Sequence, residues 1–203
     1  MNANQNSIQL KIIEEFMYLC SEKSIGIWLL GGWGIDFLHG KQTRNHSDID
    51  FILDRKNYFS LYEVIVDYAD AINLYTEQKA KFIKNGVSCE FCFFLTIEDD
   101  FYIDLDEKDP LVYPMPWNSF PEKYNGFLSG IQVRTISWEA QYVAKQGCFY
   151  YSKQPLRKKD ESDLCIIADN LTIPQIKLDN LLPGIKKTRL GLRPPQERNC
   201  VKE

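Results

Sequence analysis

Between Ile27 and Leu53 the chain carries two polar devices set between apolar runs, and few folds accommodate both. The first is the glycine pair Gly31-Gly32, between Ile27-Trp28-Leu29-Leu30 and a Trp33-Ile35-Phe37-Leu38 pattern. The short run reads as a strand and the spaced one as a helix, which makes the pair a side-chain-free turn. Such a turn offers backbone N–H groups and the positive end of a helix, a cradle for phosphate. The second device is Asp48-Ile49-Asp50, running into Phe51-Ile52-Leu53. On a strand, residues i and i+2 face the same way. Two like charges side by side are costly unless a cation lies between them. Mg²⁺ prefers carboxylate oxygens and shares its sphere with substrate phosphates. A phosphate cradle beside metal carboxylates implies nucleotidyl transfer.

The periodicities give an order of elements. Residues 7 to 22 read as an amphipathic helix, 27 to 30 as a strand, 33 to 38 as a short helix and 48 to 53 as the carboxylate strand. Arg55 to Tyr68 is a second amphipathic helix. Strands follow at Ala71 to Tyr75, Lys79 to Lys84 and Val87 to Leu95, with Asn85-Gly86 as a hairpin turn. Phe101 to Leu105 and Ile131 to Thr135 are further short strands, and Pro110, Pro114, Pro116 and Pro121 mark an irregular stretch between them. Ser137 caps a helix from Trp138 to about Tyr150, and a last helix covers Lys158 to Asn170. The expected fold class is α/β (α+β), a mixed twisted sheet flanked by helices and followed by a small helical region. The divisions are a catalytic domain over 1–136, a helical C-terminal region over 137–181 and a basic tail over 182–203.

The stretch from Trp28 to Phe51 resembles the signature of the nucleotidyltransferase superfamily related to DNA polymerase β. More narrowly, it resembles the aminoglycoside 2″-adenylyltransferases and the lincosamide nucleotidyltransferases. The residues that carry the resemblance are Trp28, Gly31, Gly32, Trp33, Gly34, Ile35, Asp36, Gly40, Lys41, Arg44, His46, Asp48 and Asp50. A second block, Ile136-Ser137-Trp138-Glu139-Ala140 followed by Phe149-Tyr150-Tyr151, resembles the helical part of the aminoglycoside enzymes, and the likeness spans about residues 10 to 170. The resemblance implies the nucleotidyltransferase fold, Mg²⁺ on Asp48 and Asp50, and ATP or another nucleoside triphosphate as co-substrate.

A third carboxylate on a neighbouring strand completes such sites. Glu90 is the candidate, a lone charge in the apolar run Val87 to Leu95, where it needs a reason to exist. It is open whether Glu90 is a metal ligand, the base for the attacking hydroxyl, or both. Relatives more often carry Asp at the matching position. Gly31 and Gly32 would meet the phosphates through backbone alone. Arg44 has two readings, a phosphate contact or a structural ion pair. The resemblance places a lysine near the triphosphate, and Lys159 fits best, with Lys158 and then Lys145 behind it. His46 is expected to support the aspartates, and Asp36 to pair with Arg44 or to cap backbone.

Six cysteines lie at positions 20, 89, 92, 148, 165 and 200, without the spacing of a disulfide framework. They point to reduced thiols and a cytoplasmic protein. Cys89 and Cys92 form a C-x-x-C with no second pair nearby, on opposite faces of a straight strand. No apolar stretch reaches membrane-spanning length, so no membrane partner is expected. From Leu182 onward six basic residues face two acidic ones, leaving residues 1–181 at −8 of the chain's net −4. An acidic body argues against duplex nucleic acid and suits a cationic small molecule. Seven acids between Glu98 and Asp109, set against Lys108 alone, suggest an acceptor wall for a polycation, favouring an aminoglycoside over a lincosamide. The alternatives are a protein or RNA acceptor, as in toxin-like relatives, or an inactive nucleotide-binding module.

Overall fold

The computed structural model describes residues 3–76, 78–104, 111–152, 155–182 and 186–187, with the backbone alone for residues 3, 4, 104, 111–113, 148, 151, 152, 186 and 187. Helix α1 (Ala3–Glu22) leads into β1 (Ile27–Leu30), α2 (Gly31–His39) and β2 (Asp48–Asp54). A 3₁₀ turn (Arg55–Asn57) precedes α3 (Tyr58–Tyr68), where one helix was expected. The Asp54 carboxylate accepts the Lys56 N–H at 2.9 Å, which tightens that first turn. Then come β3 (Ala71–Tyr75), β4 (Lys79–Lys84), β5 (Val87–Ile97), β6 (Asp100–Asp104), β7 (Leu111–Pro114), β8 (Gly126–Leu128) and β9 (Ile131–Val133). Helices α4 (Trp138–Ser152), α5 (Lys158–Ala168) and α6 (Gln175–Asp179) follow, with β10 (Lys186–Lys187) last.

The sequence signals missed β7, β8, α6 and β10. Each is five residues or shorter, too brief to show a period, and β7 ends at a proline. Leu105, expected to end a strand, and most of the basic tail lie outside the described residues.

Eight strands form one mixed sheet along the path β1-β2-β5-β6-β7-β10, with β4 beside the first half of β5 and β3 beyond it. Strand β2 runs parallel to β5, whereas β1 pairs antiparallel with β2 and β4 with β5. Asn85 and Gly86 both take positive φ (48° and 75°), as the β4–β5 hairpin turn demands.

Two cores cover the two faces. On one, Phe16 of α1 meets Phe51, Phe82 and Phe91 at ring separations of 5.2–5.5 Å. On the other, Trp28, Ile52, Phe94 and Ile103 pack against Ala140, Tyr142, Val143, Ile167 and Leu178 from α4 to α6. The Ser137 hydroxyl accepts the Ala140 N–H at 3.1 Å, the expected helix cap.

Residues Ile49, Phe51, Leu53, Cys89, Phe91 and Phe93 are buried in the first core, so the alternate positions Asp48, Asp50, Ile52, Ser88, Glu90 and Cys92 face the other way. The helices cover that second face from Ile52 onward and leave its polar end partly open. The open end is where the site lies.

Candidate active site

The pairing register sets Asp50 opposite Glu90 on the parallel neighbour and opposite Leu30 on the antiparallel one. Lys81 of β4 pairs with Glu90 in turn. Leu30, Asp50, Glu90 and Lys81 therefore form one row across four strands, with Asp48 one step along β2 on the same face. Burial, then the charges of Asp48 and Glu90, push the Asp50 carboxyl up to about 7, against the relief offered by Lys145 and Lys159. No hydrogen bond contributes to that balance among the described residues. Such a carboxylate is short of a cation.

The glycine turn exists because of what it touches. Gly31 takes φ +67°, and a Cβ there would lie 2.4 Å from Oδ2 of Asp50. A Cβ on Gly32 would lie 2.4 Å from both Arg44 Nη2 and His46 Nδ1, and one on Gly34 would lie 2.3 Å from Gln141 Nε2. Removing three side chains lets α2 start directly against the carboxylates and their supports. The Gly31 N–H donates to Gln141 Oε1 at 3.1 Å. The amides of Gly32 and Trp33, next along the helix start, have no helical acceptor behind them.

Behind the turn runs a chain of charges. Asp36 and His46, both buried, meet at 2.6 Å through Oδ2 and Nε2. His46 Nδ1 lies 2.9 Å from Arg44 Nη1. A guanidinium only donates, so Nδ1 accepts and the ring proton sits on Nε2, donating to Asp36. The second Asp36 oxygen accepts the Thr43 N–H and hydroxyl at 3.1 and 2.6 Å. Arg44 then grips Asp163 with two hydrogen bonds of 3.1 and 3.0 Å. Lys145 bridges Asp163 at 2.7 Å and Asp160 at 3.1 Å. Burial opposes ionisation of Asp160, but hydrogen bonds from Arg157 and Lys145 outweigh it and hold the carboxyl at about 2. Asp163 is lowered in the same way, by Arg44 and Lys145 against its burial.

These contacts correct one expectation and decide another. His46 supports Asp36 rather than Asp48 or Asp50. Of the two readings for Asp36 the geometry shows the backbone cap, on the Thr43 N–H, with His46 on its other oxygen. Of the two readings for Arg44, the geometry shows the ion pair, which ties the loop before β2 to α5. Lys159 is half-buried at the start of α5, and its charge reaches Asp50. Glu90 is in register with Asp50, but its Oε1 is held by Lys81 Nζ at 2.6 Å. Among the described residues no three Asp, Glu, His or Cys side chains converge on one metal position.

Of the seven acids expected to form an acceptor wall, only Glu98, Asp99 and Asp100 have described side chains. Glu98 and Asp99 form the tight turn between β5 and β6, eight residues beyond Glu90, or about 26 Å of extended chain. Asp100 starts β6 beside them, while the Asp104 side chain, Asp106, Glu107 and Asp109 lie outside the described residues. Cys89 is buried, with its thiol pushed up to about 12 by burial, while Cys92 faces the other side of the sheet.

Sequence reasoning missed Gln141 and Lys81. Gln141 did carry a signal, a polar residue among the buried Ala140, Tyr142, Val143 and Ala144. Lys81 carried none, since alternating lysines on a strand usually mark solvent.

The model of the family described as aminoglycoside-2''-adenylyltransferase matches residues 12–165. A 2''-aminoglycoside nucleotidyltransferase of Escherichia coli is 27% identical over 140 residues, which cover 66% of this chain and 71% of that protein. Among solved structures, ANT(2")-Ia in complex with adenylyl-2"-tobramycin superposes with a TM-score of 0.69 at 21% identity, covering 87% of this chain and 96% of that one. The lincosamide antibiotic adenylyltransferase LnuA, lincomycin-bound, gives 0.61 at 21% identity over 79% and 97%. Those two likenesses establish the nucleotidyltransferase fold. With well over half of its length matched to the family model, the chain belongs to the aminoglycoside-2''-adenylyltransferase family.

Proposed function

We propose that this chain is a Mg²⁺-dependent nucleotidyltransferase that moves AMP from ATP to the 2″-hydroxyl of an aminoglycoside, in the cytoplasm. The observation that carries the reading is the row of carboxylates beside the glycine-led helix. Asp48 and Asp50 share one partly open strand face, and Glu90 stands in register on the next strand. Of the two glycines expected to meet phosphate, Gly31 gives its N–H to Gln141, so helix-start amides without a helical acceptor begin at Gly32. The family and the names of the relatives support the donor and the acceptor class.

The donor set fits a hard divalent cation, because Asp50 is a half-buried carboxylate short of positive charge beside Asp48. Asp48 and Asp50 would hold it. Mg²⁺ bound there supplies neutralisation of the charge that grows on the phosphoryl oxygens. Glu90 takes the proton of the acceptor hydroxyl. The freed oxygen bonds to the α-phosphorus, the bond from that phosphorus to the bridging oxygen breaks, and pyrophosphate leaves with the electron pair. The amides of Gly32 and Trp33, with the helix dipole, orient the phosphates, and Lys159 adds charge on the α5 side. Arg44 holds the two helical walls of the site together.

The test is Mg²⁺-dependent pyrophosphate release across aminoglycosides, lincosamides, RNA and protein acceptors. Release with aminoglycosides supports the reading. Release only with a macromolecular acceptor would move the chain to another branch of the superfamily.

A further inference from the structure

Glu90 carries two candidate duties, and its cross-strand partner separates them. Lys81 Nζ lies 2.6 Å from Oε1, and the Ser88 hydroxyl lies 3.5 Å from the same oxygen. Both contacts fall on one oxygen of the carboxylate. The register fixes the lysine there, because Lys81 pairs directly with Glu90, which pairs directly with Asp50. Asp48 and Asp50 also add to the field at the ammonium. An ordinary exposed ion pair of this kind contributes little to stability. This one is at the open end of the site face, one strand from the carboxylates that fit the metal.

We propose that Lys81 is a positioning residue that reserves Glu90 for proton transfer. Its ammonium occupies Oε1 and draws the carboxylate along the row, away from Asp50, so that Oε2 is the oxygen left for the acceptor hydroxyl. Without the lysine, Glu90 is free to swing toward Asp50 and become a third metal ligand. A carboxylate bound to the metal is a poorer base, because the cation withdraws the charge that would accept the proton. The inference rests on the base reading of Glu90 given above.

The experiment is a double-mutant cycle read by Mn²⁺ binding to the protein alone, followed by steady-state kinetics with ATP and an aminoglycoside. Lys81→Met should bind Mn²⁺ roughly tenfold more tightly, since it frees a further charged ligand for the cation. In a Glu90→Gln background the same substitution should leave Mn²⁺ affinity nearly unchanged. Turnover of Lys81→Met should fall about tenfold or more with little change in the KM for ATP, and Lys81→Arg should restore most of it. Tightening that persists in the Glu90→Gln background would overturn the proposal, because Lys81 would then act by its charge alone. Unchanged Mn²⁺ affinity with full turnover in Lys81→Met would overturn it as well. The Mn²⁺ measurements need neither nucleotide nor acceptor, and a wild-type protein that binds no Mn²⁺ would overturn the metal reading of Asp48 and Asp50 together with the claim about Lys81. A Glu90→Gln enzyme with full turnover would instead strike the base reading.

Discussion

Asp50 bears a cost in the metal-free protein that the proposed metal site would explain. A carboxyl raised from 3.8 to about 7 is protonated more readily folded than unfolded. The penalty is absent below pH 4, grows between pH 4 and 7, and is full above 7. Asp50→Asn should therefore stabilise the metal-free protein at pH 8 by about 1–4 kcal/mol and change little at pH 4, while abolishing transfer. Thermal unfolding at the two pH values checks this, and equal shifts at both would refute it. Glu90→Gln should lower turnover about 10²-fold or more and leave nucleotide affinity nearly unchanged. Affinity that collapses together with turnover would make Glu90 a ligand instead. These residues were legible because they break local pattern: charges inside apolar strands announce a duty. Lys81 and the Asp36–His46 pair broke no pattern, and only the register and the fold of the loop before β2 bring them into contact.

The unit that matters among the elements is α2 with its loop, clamped to α4 and α5. Gly32 is at its centre, and Gly32→Ala should destabilise by about 1–3 kcal/mol, because the added carbon meets the Arg44 and His46 side chains that support the loop. Breaking the clamp should cost more. Arg44→Met leaves Asp163 buried with one cation fewer and should destabilise by about 2–4 kcal/mol. Calorimetry and nucleotide titration separate the two readings of Arg44. A large loss of nucleotide affinity with no loss of stability would restore the phosphate contact. The elements themselves were mostly readable, since β1 to β6, α1 to α5 and the hairpin turn at Asn85-Gly86 carry clear periods or turn residues. The 3₁₀ turn at Arg55 and the short β7, β8 and α6 were not, because they are set by tertiary contacts rather than by pattern.

At the scale of the molecule, two cores on one sheet leave a polar end partly open among the described residues, and charge decides what comes to it. Of the acids expected to form an acceptor wall, Glu98 and Asp99 sit at the far end of β5, and the Asp104 side chain and the acids after it lie outside the described residues. Among the described residues, the site's three carboxylates within an acidic body would attract a polycation. The KM for an aminoglycoside should then rise several-fold as salt shortens the Debye length from about 10 Å to about 3 Å. A salt-insensitive KM would show that uncharged contacts dominate acceptor binding. The central claim is tested most directly by the identity of the product. The purified protein, ATP, Mg²⁺ and tobramycin or kanamycin should give one nucleotide-bearing aminoglycoside by mass spectrometry, equal in amount to the pyrophosphate released and absent with Asp50→Asn. Unmodified aminoglycoside from an active, folded protein, with the nucleotide appearing on lincomycin, RNA or protein instead, would contradict the account.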